Sequence, residues 1–303
     1  EVIDVIRKIV HTGQAEILGE TYYHSLAFFY SPAEFERQVT KHREIVGRLF
    51  GVWPRVFRNT ELSYRNDLGA WAERAGYDGI LAEGWDPVLG WRSPNYVYRP
   101  KDVKRTRLLL KNYRLSDDMA FRFSSRSWSE WPLTADKFTQ WLNEQQGDTV
   151  NLFMDYETFG EHQWEDTGIF HFLERLPEEV LNNPHQTFST PSEVIHRHSP
   201  RDEVDVPHIM TWADTDRDLT AWVGNPMQHA AIENGYALED DVLAANDHRI
   251  LDDWRKLQTS DHFYYMCTKW FSDGDVHAYF SPYESPYDAY ISYMNALSDL
   301  RMR

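Results

Sequence analysis

The sequence predicts an α/β fold, and three observations predict it. Short β-rich runs alternate with helical periodicity over about the first two thirds of the chain; three of those runs end in acidic residues; and beyond residue 186 the alternation gives way to helices. Strand–helix–strand repetition argues for a parallel sheet, open or closed into a barrel, here with a helical subdomain appended. At 303 residues and 42% hydrophobic, the chain is large enough to bury the core this requires.

The elements follow in order. EVIDVIRKIV opens as an amphipathic helix with Val2, Ile3, Val5, Ile6, Ile9 and Val10 on one broad side. It has no start signal before it, as expected of a chain that begins upstream of Glu1, so a leader stays an open possibility. Strands are predicted near 15–18, 55–57, 79–82, 119–123, 150–155 and 187–189, with helices near 32–49, 66–75, 135–144 and 168–176. In the second of these helices Leu68, Trp71, Ala72 and Ala75 recur at helical spacing and Gly76 supplies a stop. Thr190-Pro-Ser-Glu193 is a capping box with proline in the first turn, a specific helix start. Helical stretches near 214–223, 228–233, 240–264 and 286–301 complete the chain, with no strand alternation expected among them.

Charge and composition narrow the function. There are 48 Asp and Glu against 31 Lys and Arg, a formal charge of −17, which argues against a nucleic-acid partner needing a basic footprint. Much of that charge reads as solvated surface. The single cysteine, Cys267, offers neither an internal disulfide nor a Cys-rich metal site, and leans the expected location towards the reducing cytoplasm. No apolar run approaches the roughly 20 residues that cross a bilayer, so no membrane partner is expected.

The acids at the strand ends carry the chemistry. Glu61 follows VFRNT, Glu83 follows GILA, and Asp155 with Glu157 follows NLFM. Strand C-termini are where α/β barrels build active sites. Glu83 reads as a salt-bridged loop carboxylate. Asp155 and Glu157, two apart on an extended strand, would share a face, where unpaired charge is expensive. Two carboxyl groups across a cleft can cleave a glycosidic bond, with retention at about 5 to 5.5 Å separation and inversion at longer range. The proton donor needs a raised pKa, which a like charge such as Glu157 supplies.

The chain is also rich in aromatic residues, with 12 Trp and 17 Tyr. Tyr22, Tyr23, Trp85, Trp91, Tyr96, Tyr98 and Trp164 fall in predicted loops or strand ends. Individually each reads as packing; together they favour a groove for an extended polar ligand.

These segments resemble glycoside hydrolase family 57, especially its α-amylase-like members. VFRNTELSY is similar to the family's nucleophile segment, which implies Glu61 as catalytic nucleophile. FMDYETFGEHQW is similar to the Asp-x-Glu-x-Phe-Gly segment, which implies Asp155 as general acid/base and Glu157 as a supporting carboxylate. ILGETYYHSL implies a sugar contact at His24, and LQTSDHFYYM, in the helical part, implies contacts from Gln258, Asp261 and His262; Trp164 joins them as a stacking surface.

The resemblance implies a distorted, incomplete (β/α)7-type barrel over residues 1–186, lacking its first strand. Residues 187–303 would supply the end of the barrel and a helical subdomain closing the cleft. The family's opening His-Gln-Pro segment is absent, Arg58 stands where many members have Trp, and Ser25 where they have Pro.

The implied activity is retaining hydrolysis of α-1,4-glucosidic linkages in starch- or glycogen-type glucans, with no cofactor and no metal. The motifs leave 4-α-glucanotransfer open, and the missing first strand leaves open a non-catalytic glucan binder. A zinc-dependent deacetylase or mannosidase needs His and Asp ligands; the 13 histidines show no ligand spacing, and His196 and His198 read as solvated.

Overall fold

The computed structural model of the chain describes residues 1–269 and 276–303. The fold is α/β with parallel strand pairs and many helices. Among the described residues the strands do not close into a barrel. The chain divides into two compact units, each assembled from separated stretches of sequence.

The first unit comprises residues 1–7, 17–68 and 207–303. Its longest helix, Pro32–Phe50, starts where the sequence says it should: Ser31 Oγ accepts the Glu34 N–H at 3.1 Å and Pro32 fills the first turn. It ends at Gly51, whose φ of 72° suits a residue without Cβ. Its buried face includes Phe35, Val39 and Val46, and also Glu34, which has no exposed surface. Charge of that kind needs partners. Arg255 of the helix His248–Lys256 supplies two hydrogen bonds, at 2.7 and 3.2 Å, and Arg37 a third at 2.7 Å.

Helices Pro226–Tyr236, His248–Lys256 and Pro286–Met302 enclose a core of Trp222, Ile232, Trp254, Phe263 and Leu297. The indole of Trp254 donates to the Gly235 carbonyl at 2.8 Å, so the ring is buried without an orphan donor. The single helix predicted over 240–264 is three: Glu239–Ala245, His248–Lys256 and Ser260–Tyr264. Asn246 adopts a left-handed φ of 50° and the Asp247 side chain accepts the Arg249 N–H, so one helix is stopped and the next begun. Likewise the stretch 214–223 narrows to Thr220–Val223.

The strand predicted at 15–18 does not form. Gly19 makes one parallel bridge to Phe57 in the strand Val56–Arg58, with Gly19 N–H donating to the Val56 carbonyl and Arg58 N–H to the Gly19 carbonyl, both 2.8 Å. That bridge sets Glu20 beside Arg58.

The second unit comprises residues 8–16 and 69–206. Strand Gly79–Glu83, buried throughout, runs parallel to Arg107–Lys111, with Gly79 opposite Arg107 and Glu83 opposite Lys111. The sequence reading missed Arg107–Lys111, and also the short parallel pair Arg99–Pro100 with Glu203–Val204. A side chain at Gly84 would put its Cβ 2.1 Å from the Lys111 carbonyl oxygen, so glycine lets the chain turn tightly past the neighbouring strand's end. Glu83 pairs with a cation, as expected, but at the buried end of the strand and not in a loop: Lys111 Nζ lies 3.9 Å from it and 3.1 Å from Asp117.

Three predicted strands are corrected here. Residues 119–123 end the helix Tyr113–Ala120, whose start is fixed by Asn112 accepting the Leu115 N–H. Residues 187–189 are irregular. Residues 150–155 form no strand either. A backbone bond from the Asn112 N–H to the Asn151 carbonyl, at 2.9 Å, ties them to the chain after Arg107–Lys111. Side chains make the neighbouring contacts: Asn151 Nδ2 donates to the Leu110 carbonyl at 2.9 Å, and the Phe153 N–H donates to Ser116 Oγ at 3.2 Å. Helices Tyr113–Ala120, Ala135–Glu144 and Ile169–Leu181 pack around Phe123, Phe138 and Phe172, whose rings meet edge to face. The capping box at Thr190 forms as read.

Candidate active site

In the first unit the polar geometry converges on Glu61. It follows Val56–Arg58 inside the single turn Thr60–Leu62, with φ 60° and ψ 27°; Leu62 is left-handed too, at φ 51°. Such a backbone costs on the order of 1–3 kcal/mol per residue and persists only where its surroundings fix it. The fixing groups are all at hand. Asn59 Nδ2 donates to the Ser63 carbonyl and hydroxyl, Ser63 Oγ donates to the Thr60 carbonyl, and Tyr64 exchanges both backbone hydrogen bonds with Met210.

The Glu61 side chain is 15% exposed and both oxygens are engaged. Oε1 lies 3.2 Å from His24 Nε2 and accepts from Ser260 Oγ at 3.2 Å; Oε2 accepts from the Trp212 indole N–H at 2.8 Å. Burial pushes the carboxyl pKa up, but the hydrogen bond and charge of His24, the charge of Arg58 and the indole bond outweigh it. Glu61 is therefore held below the usual carboxylate range, as an anion.

His24 sits between two carboxylates. Its Nδ1 is 2.6 Å from Glu20 Oε1 and its backbone is left-handed, at φ 51°. Burial lowers the imidazole pKa, yet the bonds to Glu20 and Glu61 raise it to about 10, so both ring nitrogens are donors at neutral pH. Arg58 Nη1 reaches Glu20 Oε1 at 3.1 Å, and its guanidinium lies 4.9 Å from the centre of the Trp212 ring. Arg58, Glu20, His24 and Glu61 thus alternate in charge.

The predicted residues of the LQTSDHFYYM segment divide. Asp261 feels Glu61: burial first, then the Glu61 charge, raises its pKa. Gln258 is 2% exposed and accepts from Gln38 Nε2 at 2.8 Å, while His262 bonds the Lys256 carbonyl at 3.2 Å and packs on Tyr293. Neither shows a contact with Glu61.

In the second unit Asp155 is half-buried and immediately precedes the single turn Tyr156–Thr158, without a capping bond from its side chain. Asp155 is itself extended, at φ −67° and ψ 146°, but the chain enters the turn at Tyr156, so the two-residue spacing no longer puts Glu157 on its face; Glu157 is exposed. Tyr156 and Trp164 are 87% and 60% exposed. Gln163 anchors the loop by donating to the Ala120 carbonyl at 3.0 Å. Among the other aromatic residues that together suggested a groove, Trp91 is exposed, whereas Tyr23 and Tyr98 belong to the core, as packing residues do. Among the described residues no group of three or more His, Cys, Asp or Glu is placed to hold a metal ion, and no helix is long and apolar enough to cross a membrane.

The sequence profile described as "Glycosyl hydrolase family 57" matches residues 1–207. The chain belongs to glycosyl hydrolase family 57. A relative from Methanocaldococcus jannaschii, named "Putative alpha-amylase", is 44% identical over 309 residues, covering 98% of this chain and 66% of the relative. The chain thus spans just under two thirds of that relative's length.

Solved structures of the family share the fold. A branching enzyme of glycosyl hydrolase family 57 from Thermococcus kodakaraensis superposes with a TM-score of 0.70 at 14% identity, over 99% of this chain and 68% of that one. The 4-alpha-glucanotransferase of Thermococcus litoralis gives 0.62 at 16% identity, over 86% and 46%. The alpha-amylase AmyC of Thermotoga maritima gives 0.60 at 15% identity, over 99% and 70%.

For this family-57 chain, sequence reasoning missed two donors to Glu61, Ser260 and Trp212, and the carboxylate that holds His24, Glu20. Glu20 and Ser260 lie within segments already singled out, four residues before His24 and one before Asp261. Trp212 had no motif around it; its signal is only an indole entering the polar turn Trp-Ala-Asp-Thr-Asp.

Proposed function

We propose that the protein is a retaining glycoside hydrolase that cleaves α-1,4-glucosidic linkages in starch- or glycogen-type glucans. Glu61 is the nucleophile and Asp155 the general acid and then base. His24, Asp261, Glu157 and Trp164 contact the sugar; Gln258 and His262 shape the wall that carries Asp261.

The observation that carries this reading is the state of Glu61. A buried carboxylate kept anionic by an imidazolium, a hydroxyl and an indole, on a backbone that costs energy to hold, is what a nucleophile needs. Charge alone does not make it one. Membership of the family supplies the reaction class, and the three structural neighbours named above suggest glucans as the substrate class.

Product analysis on maltooligosaccharides tests it. Hydrolysis gives shorter chains with one new reducing end per cut. Longer products with little new reducing power would replace hydrolysis by glucan transfer. Starch binding without turnover, unchanged in Glu61→Gln, would overturn the enzyme reading.

A further inference from the structure

The two oxygens of Glu61 are not equivalent. A carboxylate offers about four lone-pair sites, two on each oxygen. Oε1 has both filled, by His24 Nε2 and Ser260 Oγ. Oε2 accepts one hydrogen bond among the described residues, from the Trp212 indole, and keeps one site open.

The two donors on Oε1 are also held to each other. Ser260 N–H donates to the His24 carbonyl at 2.9 Å, Ser25 bridges Thr259 in antiparallel fashion, and Thr259 Oγ1 donates to the Tyr23 carbonyl at 3.0 Å. Ser260 is fully buried and is the first residue of the helix Ser260–Tyr264. A substrate therefore meets Oε1 already saturated by a rigid pair.

We propose that Glu61 reacts through Oε2, and that Ser260 is a positioning residue which, with His24, reserves Oε1 as the oxygen that becomes the ester carbonyl. This rests on Glu61 being the nucleophile of a retaining glycosidase. An Oε2 lone pair forms the bond to the anomeric carbon as that carbon's bond to the leaving oxygen breaks; the leaving oxygen takes the electron pair and the acid's proton. In the second half, water attacks the same carbon, the bond to Oε2 breaks with its electron pair returning to the carboxylate, and the water proton passes to the base.

The charge on Oε1 changes through this cycle. It is high in the free carboxylate and low in the ester, so donors on Oε1 favour departure of the carboxylate over its attack. Ser260 thus assists the second half-reaction more than the first.

Two measurements test the assignment. A 5-fluoro-α-glucosyl fluoride, whose ester hydrolyses slowly, traps the intermediate for mass analysis and crystallography. The expected structure has the anomeric carbon on Oε2 and Oε1 still held by Ser260 and His24. A bond to Oε1 with Ser260 displaced would overturn the assignment while leaving Glu61 the nucleophile. Labelling of another residue, or none, would instead sink the functional reading together with the inference.

Ser260→Ala kinetics supply the second measurement. The expected result is kcat and KM both down about tenfold on a donor whose leaving group is good, with kcat/KM changed by less than about threefold. A fall in kcat/KM as large as that in kcat marks a merely structural role and overturns the proposal.

Discussion

The segments around Glu61 and Asp155 solve opposite problems. Around Glu61 each oxygen is bonded, the backbone is forced left-handed, and the chain is stitched to residues near 210 and 260. Around Asp155 the loop shows water a tyrosine, a tryptophan and a second carboxylate, and is anchored through Gln163 and the apolar packing of its flanks. An attacking anion must stay charged and aimed. A group that gives and takes a proton must instead have its affinity shifted by what comes and goes beside it. The difference in surroundings is the one that these two roles, as proposed, require.

The largest effects should come from the carboxylates themselves. Glu61→Gln should lose at least about a thousandfold in kcat on every donor, with glucan affinity by calorimetry largely kept. Asp155→Asn should lose as much on starch yet retain the first half-reaction with α-glucosyl fluoride, because fluoride departs without a proton. Equal losses on both donors would erase the division of roles.

Next comes Trp212→Phe, which removes one donor from Oε2. The Glu61 pKa is depressed in the folded protein, so activity is present above it and falls as pH drops through it. Losing the indole bond moves that acid limb of kcat/KM to higher pH, with a loss of about tenfold on the limb itself.

His24 gives the opposite sign. Its folded pKa of about 10 lies above the ordinary 6.5, so its stabilisation is complete below 6.5 and is lost as pH rises through about 10. Thermal unfolding across that window should show a decline that His24→Asn flattens. The smallest effects belong to the exposed aromatic pair: Tyr156→Ala and Trp164→Ala should each raise KM about two- to fivefold and leave kcat alone.

Legibility in the sequence follows the range of the forces involved. The helix start at Thr190 was readable because a capping box acts within four residues. Arg107–Lys111 was missed because its pairing with Gly79–Glu83 joins residues 28 positions apart and leaves no local mark. Residues 150–155 misled for the converse reason: the apolar run is real, but past the backbone bond from Asn112 to the Asn151 carbonyl the ladder does not continue, and the Phe153 N–H turns to the Ser116 hydroxyl instead.

Glu61, Asp155 and His24 were singled out through resemblance to known segments, and of these the structure joins His24 to Glu61. Trp212 was not singled out, since its bond to Glu61 joins residues 151 positions apart. The premise that Asp155 and Glu157 share a face failed because the residue between them, Tyr156, begins the turn Tyr156–Thr158 instead of continuing the extended chain.

The Glu34 carboxylate, clasped by guanidinium groups from its own helix and from His248–Lys256, has a dynamic consequence. Neither helix can peel away without stranding an ion in an apolar interior, so the two should open together. Amide protons along both should exchange with deuterium as one cooperative block, at a rate indifferent to added salt.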